Sequence, residues 1–372
     1  MTDVAGRRFA IVQEYVPAYR VPLFTQLAAV VAADGDELLV YAGDPAGALA
    51  ERRDGVQSSP WLRTIRQREF RIFGRRLVLR ALPRAVWSAD LIVVEQARRN
   101  TDVPFLLAWP RTARKTALWG HGVDVVKIPS RLERRYSRLL LRRAAWLFAY
   151  TQAGADRAVD AGINRQRTTV LWNSIDTRRL RQDLDAVGPG RTGVSPRAAF
   201  IGGLDSSKRI EDLISIGEAA HGLDPGFRLV IGGDGELRGI VEAAAERFSW
   251  IDHRGSVAGT DKAALLQESD LLLIPGRVGL AAIDSLAAGR PIVTLSTSLH
   301  GPEFEYLEPG VTCVVTDGVH DAARALVGLF HDRPALDAMQ ARCREASQNY
   351  SIENTVRRFH DGLNAAIEDD HE

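Results

Sequence analysis

The chain has 372 residues and a net charge of +1 at neutral pH; 45% of its residues are hydrophobic and 26% are charged. This length favours two domains over one core, and the composition is typical of a folded protein, which excludes a disordered chain. The two cysteines cannot build a disulfide framework or a metal cluster, and no apolar run reaches the roughly 18 residues needed to cross a membrane. Since the first residues also lack the layout of a signal peptide, we expect a cytoplasmic protein.

The small net charge hides an asymmetry between the two halves. Residues 1–150 contain 25 Lys and Arg against 14 Asp and Glu, a balance of +11, whereas residues 151–372 contain 23 against 33, a balance of −10. A basic half is compatible with an anionic partner. Nucleic acid is not expected to be that partner, because no nucleic-acid-binding motif accompanies the charge.

Short patterns of buried strands alternate with helical patterns along the chain. Strands are predicted at 8–13, 37–43, 90–96, 116–122, 145–151, 168–174, 197–203, 228–235, 251–257, 270–276, 290–296 and 311–318. Apolar residues between them recur three and four positions apart, as in 209–220. This alternation predicts parallel sheets covered by helices on both faces. Residues 185–197 are rich in glycine and proline and predict a linker, so the fold class is α/β with two doubly wound domains.

Three strand ends in the second half carry glycine turns. Gly202 and Gly203 precede Lys208 and Arg209, a second turn contains Gly233 and Asp234, and a third contains Gly276 and Gly279 before a helix that begins near Leu280 and Ala281. Glycine lets the backbone approach an anion closely, cations balance its charge, and the first N–H groups of a helix face it. Together the three turns predict a ligand that carries phosphate.

The second half resembles the nucleotide-sugar domain of GT-B glycosyltransferases, in particular those of family 4. The family pattern is Glu-Gly-Phe-Gly-Leu, then three residues, then Glu-Ala-x-Ala-x-Gly-x-Pro. The sequence matches this pattern from Gly279 and Leu280 through residues 284–291. An upstream family pattern, Gly-Arg-Leu with a following lysine, corresponds to residues 202–208. The resemblance implies two Rossmann-like domains facing a cleft. The acceptor-binding domain is expected at 1–187 with 351–372, because the last helix of relatives returns to it, and the donor-binding domain at 197–350.

The resemblance also implies the residues of the donor site. Those predicted to bind the donor are Gly202, Gly203, Lys208, Arg209, Gly233, Asp234, Gly279, Leu280, Ala281, Asp284 and Glu303. Asp284 corresponds to the second acid of the family's Glu-x7-Glu pair, which holds the ribose, but the first acid falls on Gly276. The family's arginine falls on Gly203, so Lys208 and Arg209 are expected to balance the diphosphate. Residues 298–310 resemble a variant branch that brings Glu303 to the donor.

The first half is expected to bind the acceptor. Tyr19 and Arg20 lie in a segment that resembles the Pro-x-Tyr-Arg-x-x-Leu-Phe opening of bacterial polysaccharide glycosyltransferases, and Glu95 and Arg98 follow a strand. A histidine placed like His121 touches the donor sugar in relatives, so the predicted catalytic residues are His121, Lys208 and Asp284. Residues 131–148 form a predicted basic amphipathic helix that suits an anionic membrane surface, which implies a peripheral location at its inner face.

The predicted function is transfer of a sugar from a nucleoside-diphosphate sugar to an acceptor hydroxyl, on a sugar or a lipid-linked acceptor, in polysaccharide or glycoconjugate biosynthesis. The resemblance implies retention of the anomeric configuration. No cofactor or metal is expected, since Lys208 and a helix N-terminus can balance the leaving group and no metal-ligand spacing occurs. Two alternatives stay open: a nucleotide-sugar epimerase of the same fold, and a binding protein that has lost turnover.

Overall fold

The computed structural model describes residues 6–45, 55–56, 58–122, 130–188 and 196–369. The chain divides into two compact units, Met1–Ile175 with Ile352–Glu372, and Asp176–Ser351. Each unit is built on a parallel sheet with helices on its faces, and this confirms the α/β fold class.

The first unit is built on seven parallel strands. Their bounds are β1 (Arg8–Gln13), β2 (Glu37–Ala42), β3 (Leu62–Thr64), β6 (Leu91–Glu95), β7 (Thr116–Gly120), β8 (Trp146–Ala149) and β9 (Thr168–Val170), in the spatial order β3-β2-β1-β6-β7-β8-β9. Two more strands, β4 (Gln67–Ile72) and β5 (Arg75–Arg80), pair as an antiparallel hairpin. The central strands are buried on both faces, so the sheet separates two apolar cores.

Helices surround this sheet. They are α1 (Val21–Ala33), α2 (Arg84–Trp87), α3 (Asp102–Ala108), α4 (Pro110–Ala113), α5 (Arg131–Arg143) and α6 (Gln152–Asp160). Helix α5 begins with a capping box, in which the Ser130 hydroxyl accepts from the N–H of Glu133 and the Glu133 carboxylate accepts from the N–H of Ser130.

The second unit has a six-stranded parallel sheet. Its strands are β10 (Arg197–Ile201), β11 (Arg228–Gly232), β12 (Ile251–His253), β13 (Leu271–Leu273), β14 (Ile292–Leu295) and β15 (Cys313–Thr316), in the order β12-β11-β10-β13-β14-β15. Its helices are α7 (Thr177–Val187), α8 (Ile210–Leu223), α9 (Arg238–Arg247), α10 (Gly259–Glu268), α11 (Ala281–Ala288), α12 (Val319–His331) and α13 (Arg333–Ser347). The strand order reverses between β10 and β13, and ligands of open α/β sheets bind at such a point.

The last helix, α14 (Ile352–Glu368), belongs to the first unit. Phe359 is fully buried, with its ring 5.0 Å from that of Trp119 and 4.7 Å from that of Phe148. Its apolar stripe therefore completes the core on one face of the first sheet.

Every strand predicted from the sequence contains a strand of the structure, but three strands were missed. Strand β3 has only three residues, and the hairpin strands β4 and β5 are rich in arginine, which hides their alternation. No helix in the described part of the chain is both long and apolar enough to span a bilayer.

Two predicted boundaries were wrong. Residues 131–148 are not one helix: α5 ends at Arg143, the backbone of Ala144 is extended, and Trp146 begins the buried strand β8. The predicted linker at 185–197 overlaps α7, and residues 189–195 lie outside the described residues. Because α7 packs on α10 and α11, residues 177–187 belong to the second unit and not to the first.

Candidate functional site

Two glycine turns touch each other at the carboxyl ends of β10 and β11. A Cβ atom on Gly233 would lie 2.1 Å from the carbonyl oxygen of Gly202, and one on Gly235 would lie 2.6 Å from that of Leu204. Gly202 itself has a φ of +150°, which disfavours other residues. Glycine is therefore required here so that the two turns can pack backbone against backbone.

Lys208 folds back over the first of these turns. Its Nζ lies 3.9 Å from the position of a Cβ on Gly202 and donates a hydrogen bond to the carbonyl of Arg277 at 2.5 Å. Burial lowers the pKa of Lys208; the charge of Arg277 acts in the same direction, and the carboxylates of Asp205 and Glu303 oppose it. The side chain therefore brings a partly desolvated cation to the turn that precedes α11.

The turn before α11 leaves backbone donors available. The first hydrogen bond of this helix runs from the N–H of Ala282 to the carbonyl of Gly279 at 2.9 Å, so the N–H groups of Leu280 and Ala281 are not used within the helix. Such groups carry partial positive charge, and the amine of Lys208 contacts the same turn at the carbonyl of Arg277.

The segment that follows β14 closes onto the same turn. The N–H of Gly301 donates to the carbonyl of Val278 at 2.6 Å, and the N–H of Val278 donates to Nδ1 of His300 at 3.3 Å. Glu303 is buried, and its Oε2 lies 3.9 Å from the position of a Cβ on Gly279. The structure thus brings Glu303 to the glycine turn, as the sequence predicts, and adds His300, which the sequence analysis missed.

His300 stacks on Phe304 with ring centroids 4.0 Å apart. Burial lowers the pKa of its imidazole, and the nearby cation Lys208 lowers it further. The ring is therefore a neutral hydrogen-bonding group beside the turn. The only sequence signal for it was its position next to the Gly-Pro-Glu that carries Glu303.

Asp284 lies in the first turn of α11, is buried, and accepts a hydrogen bond from Nζ of Lys262 at 2.7 Å. Lys262 comes from α10 and was missed by the sequence analysis, because no local pattern marks a lysine 22 residues away as a partner. The ion pair fixes the orientation of the carboxylate at this helix start.

Two other predicted donor residues, Arg209 and Asp234, lie in the loops that follow β10 and β11. Arg209 is in the left-handed conformation at the start of α8, and its guanidinium donates to the carboxylate of Asp212 and to Oγ1 of Thr297, the latter at 2.6 Å. The carboxylate of Asp234 is half exposed and lies 3.6 Å from Arg238. Both side chains are engaged by neighbouring residues.

The first unit gathers charge at the ends of β1 and β6. The Glu14 carboxylate is buried; it accepts a hydrogen bond from Nε of Arg99 at 2.5 Å and another from Arg76. Burial raises the pKa of Glu14, but the two arginines prevail and lower it. Glu95 joins this group through a 3.3 Å hydrogen bond from the N–H of Glu14, so the cluster consists of Glu14, Arg76, Glu95 and Arg99.

Arg20 is buried inside the first unit. One of its nitrogens donates to the hydroxyl of Tyr150 at 2.7 Å, another donates to Gln13, and its carbon Cζ lies 4.6 Å from the ring centre of Trp119. Burial opposes the charged form, but the neighbouring Tyr150, Tyr19 and Glu95 raise the pKa of Arg20. The buried guanidinium therefore supports Tyr150, and its assignment to the acceptor stays a prediction.

His121 lies on an exposed turn above that support. Its ring centroid is 4.7 Å from that of Tyr150. The side chain of Gln96 holds the turn by donating to the carbonyl of Gly122 at 2.7 Å and accepting from its N–H at 2.9 Å. A Cβ on Gly122 would meet the carbonyl oxygen of Gly154 at 2.1 Å, and Gly122 has a φ of +74°, so glycine is needed for this placement.

The other predicted acceptor residues divide between two places. Tyr19 is half-buried beside Arg20, whereas Arg98 forms an ion pair with Glu133 of α5 at 3.0 Å. Arg99, and not Arg98, therefore joins the carboxylates at the strand ends. A pocket of about 480 Å³ lies beside this cluster, with Asp44, Thr64 and Arg76 among its lining residues.

The predicted site residues therefore form two groups, one in each unit. Lys208, Gly202, Gly279 and Glu303 come together in the second unit, and His121 and Arg20 both contact Tyr150 in the first. No three His, Cys, Asp or Glu side chains within the described ranges are arranged to hold a metal ion.

Family models match both parts of the chain. Residues 23–179 match a model described as Glycosyltransferase Family 4, and residues 195–332 match a model described as Glycosyl transferases group 1. The two matches cover most of the chain and fall on its two units.

Curated relatives come from Mycobacterium tuberculosis. A GDP-mannose-dependent alpha-(1-6)-phosphatidylinositol dimannoside mannosyltransferase is 34% identical over 216 residues, which is 50% of this chain and 55% of that protein. A glycogen synthase is 30% identical over 284 residues, 72% of this chain and 64% of that protein. The chain thus spans less than two thirds of the length of either relative.

Solved structures share the fold along almost the entire chain. Anabaena HepE in complex with UDP has a TM-score of 0.64 at 18% identity and covers 96% of this chain and 99% of its own. A glycosyltransferase from Rickettsia africae has a TM-score of 0.66 at 13% identity, and the match covers 98% of this chain and 99% of that protein.

Proposed function

We propose that this chain, which belongs to the family-4-like glycosyltransferases of the GT-B fold, transfers a sugar from a nucleoside-diphosphate sugar to an acceptor hydroxyl. The observation that carries this proposal is the convergence of Lys208 and the free N–H groups of α11 on one glycine turn. Lys208 comes from the loop after β10 and α11 follows β13, so two neighbouring strand ends contribute to one anion site.

The chemistry of this region suits a diphosphate leaving group. When the bond between the anomeric carbon and the phosphate oxygen breaks, negative charge builds up on the diphosphate. The Lys208 amine and the N–H groups of Leu280 and Ala281 are fixed before the reaction begins, so they stabilise that charge without reorganisation. We infer that transfer needs no metal ion and no cofactor for this reason.

Other residues of the second unit are assigned to the rest of the donor. Asp284, held by Lys262, is assigned to the ribose hydroxyls. Glu303 lies beside Gly279 and close enough to Lys208 to affect its pKa, so we assign its carboxylate to the sugar. Gly203, Gly233, Asp234 and Arg209 surround the nucleotide in this proposal. Retention of the anomeric configuration is the expected outcome for this family.

The first unit is assigned to the acceptor. Glu95, Tyr19 and His121 present polar groups at the ends of the first sheet. The acceptor class is a sugar hydroxyl, free or lipid-linked, as in polysaccharide or glycoconjugate biosynthesis. A cytoplasmic enzyme with its basic helix α5 on an anionic membrane surface would meet a lipid-linked acceptor there.

The experiment that tests the proposal begins with binding. The relatives' names make GDP, UDP, GDP-mannose and UDP-glucose the first ligands for a thermal-shift screen, because a ligand of the folded state raises its melting temperature. The binding donor is then incubated with and without a candidate acceptor, and the released nucleoside diphosphate is measured. Acceptor-dependent release supports transfer. Release of the nucleotide without acceptor, with isomerised sugar, would indicate an epimerase, and binding without turnover a binding protein.

A further inference from the structure

The hairpin β4–β5 presents an apolar face that no other described part of the chain covers. In the register of the hairpin, Phe70 pairs with Leu77 and Arg68 with Leu79, so these side chains share one face with Ile72. Phe70, Ile72 and Leu79 are 37%, 46% and 50% exposed. A single exposed apolar residue is common on protein surfaces, but a row on one strand face requires an explanation.

The opposite face of the hairpin is anchored. Val78 and Arg80 are buried. The guanidinium of Arg80 donates two hydrogen bonds to the carboxylate of Asp102, at 3.0 and 2.7 Å. The N–H of Val78 also donates to the carbonyl of Arg99 at 2.7 Å. The exposed row is therefore held in place by the unit behind it.

Phe73 is at the tip of the hairpin. Its side chain is fully exposed, and its backbone is in the left-handed conformation, with a φ of +49°. Asparagine or aspartate would fit the first position of this two-residue turn better, since a bulky residue is strained there. An aromatic side chain that is both strained and exposed gains nothing from folding, which indicates a role in contact with another surface.

Helix α5 continues the same surface. Leu132, Tyr136 and Leu139 recur at helical spacing and are 76%, 37% and 52% exposed, whereas Leu141 on the inner face is buried. Arg75 of the hairpin lies 3.6 Å from Glu133 of α5, so the hairpin tip and the start of the helix are neighbours. We call the outer face of β4–β5 with this stripe of α5 the arginine-apolar surface.

The charge of this surface selects its partner. The two elements contain eleven arginines and only two glutamates, Glu69 and Glu133; of the arginines, Arg80 is buried against Asp102 and Arg76 is paired with Glu14, and the others leave the surface basic. Two copies of the chain would bring like charges together if they joined through it, which disfavours self-association. An anionic lipid layer offers negative headgroups for the arginines and acyl chains for the exposed apolar side chains.

We propose that the arginine-apolar surface docks on an anionic bilayer, with Phe73 and Leu132 inserted among the lipids and the flanking arginines at the headgroups. This deepens the membrane contact assigned above to α5 by adding a second element, the hairpin. Sugar transfer is not needed for it, because docking is measured without donor or acceptor. A failure of docking therefore leaves the proposed reaction untouched.

The test is co-sedimentation of the full chain with vesicles of phosphatidylcholine alone and of phosphatidylcholine mixed with phosphatidylglycerol. The wild type should bind only the mixed vesicles, and added salt should weaken binding. Phe73→Ser combined with Leu132→Ser should weaken binding about tenfold or more, since two large side chains no longer leave water. Arg68→Glu combined with Arg135→Glu should abolish binding to the mixed vesicles, because the new carboxylates repel anionic headgroups.

Matched controls come from the second unit. Leu223 is 55% exposed and Arg178 is exposed, so Leu223→Ser combined with Arg178→Glu should bind like the wild type. All altered positions are exposed, and unchanged melting temperatures would show that each variant folds. Equal binding to both kinds of vesicle, or variants that bind as tightly as the control, would overturn the proposal. The proposal would also be overturned if the chain does not bind vesicles and instead forms a dimer, or a complex with DNA, that these variants disrupt.

Discussion

A Cβ atom on Gly276 would lie 2.3 Å from the carbonyl carbon of Lys208 and 2.4 Å from the carbonyl oxygen of Ser207. These are backbone atoms, which cannot turn aside as the end of a flexible side chain can. The N–H of Arg277 also donates to the carbonyl of Ser207 at 2.8 Å, so the two loops are joined where they touch. The loop that holds Lys208 therefore leaves no room for a side chain at position 276, where the resemblance predicts the missing acid.

Gly276→Ala should accordingly destabilise the protein. The added methyl group forces the 207–208 backbone away, and overpacking of this kind costs about 1–3 kcal/mol. Donor binding should fall with it, because Lys208 moves. The measurement is the free energy of unfolding by denaturant titration, followed by nucleotide binding.

Gly279→Ala in the same turn is the matched control. Its Cβ would meet only Oε2 of Glu303, at an ordinary contact distance of 3.9 Å, so its stability should change much less. Equal losses in the two variants would show that the backbone contact at position 276 is not the cause.

Lys208→Ala should weaken binding of the nucleoside diphosphate by about 1.5–3 kcal/mol, the range for a hydrogen bond to a charged group. Isothermal titration calorimetry measures this directly. Lys115→Ala is the control, since Lys115 also donates to backbone carbonyls, those of Trp87 and Ala89, but in the first unit. Unchanged affinity in Lys208→Ala would remove this lysine from the donor site.

Binding of the diphosphate should depend on pH through Lys208. Burial lowers the pKa of this amine, so it loses its proton, and with it the attraction for phosphate, at a lower pH than an exposed lysine would. Affinity should therefore decline as the pH rises through the lowered pKa. Bound diphosphate favours the charged form, which raises the pKa in the complex.

The comparison is Lys208→Arg, because a guanidinium stays charged throughout this range. Its affinity, even if weaker at neutral pH, should show no such alkaline decline. A decline of the same shape in both proteins would mean that another group titrates.

Chelation of metal ions should leave sugar transfer nearly intact, if Lys208 and the start of α11 balance the leaving group. The initial rate of nucleoside diphosphate release is compared before and after treatment with EDTA. A many-fold loss that magnesium or manganese restores would instead assign the charge stabilisation to a metal ion.

Phe359→Ala should cost about 3–5 kcal/mol of stability, since the ring is fully buried against Trp119 and Phe148. Phe105→Ala is the control, because Phe105 is 57% exposed and should change the free energy of unfolding little. A small effect at Phe359 would show that α14 contributes little to the first core.

The sequence by itself determined the strand–helix order and the glycine turns. Buried parallel strands have a local signature, a short apolar run, and a turn that needs glycine shows it directly, as at Gly202 and Gly276. The lysine near the first turn was also visible, so Lys208 could be predicted as a site residue. The apolar spacing of α14 indicated that Phe359 needs a partner, although only the resemblance indicated which domain supplies it.

Only the tertiary structure decided how the side chains are paired. Asp284 meets Lys262, Glu14 meets Arg99 and not Arg98, and Arg20 is buried under Tyr150. Arg98 and Arg99 are neighbours in the sequence but bind different carboxylates, because the turn after β6 sends one towards α5 and the other towards β1. The physical reason is that secondary structure follows from periodicity along the chain, whereas an ion pair depends on which distant strand ends the sheet order brings together.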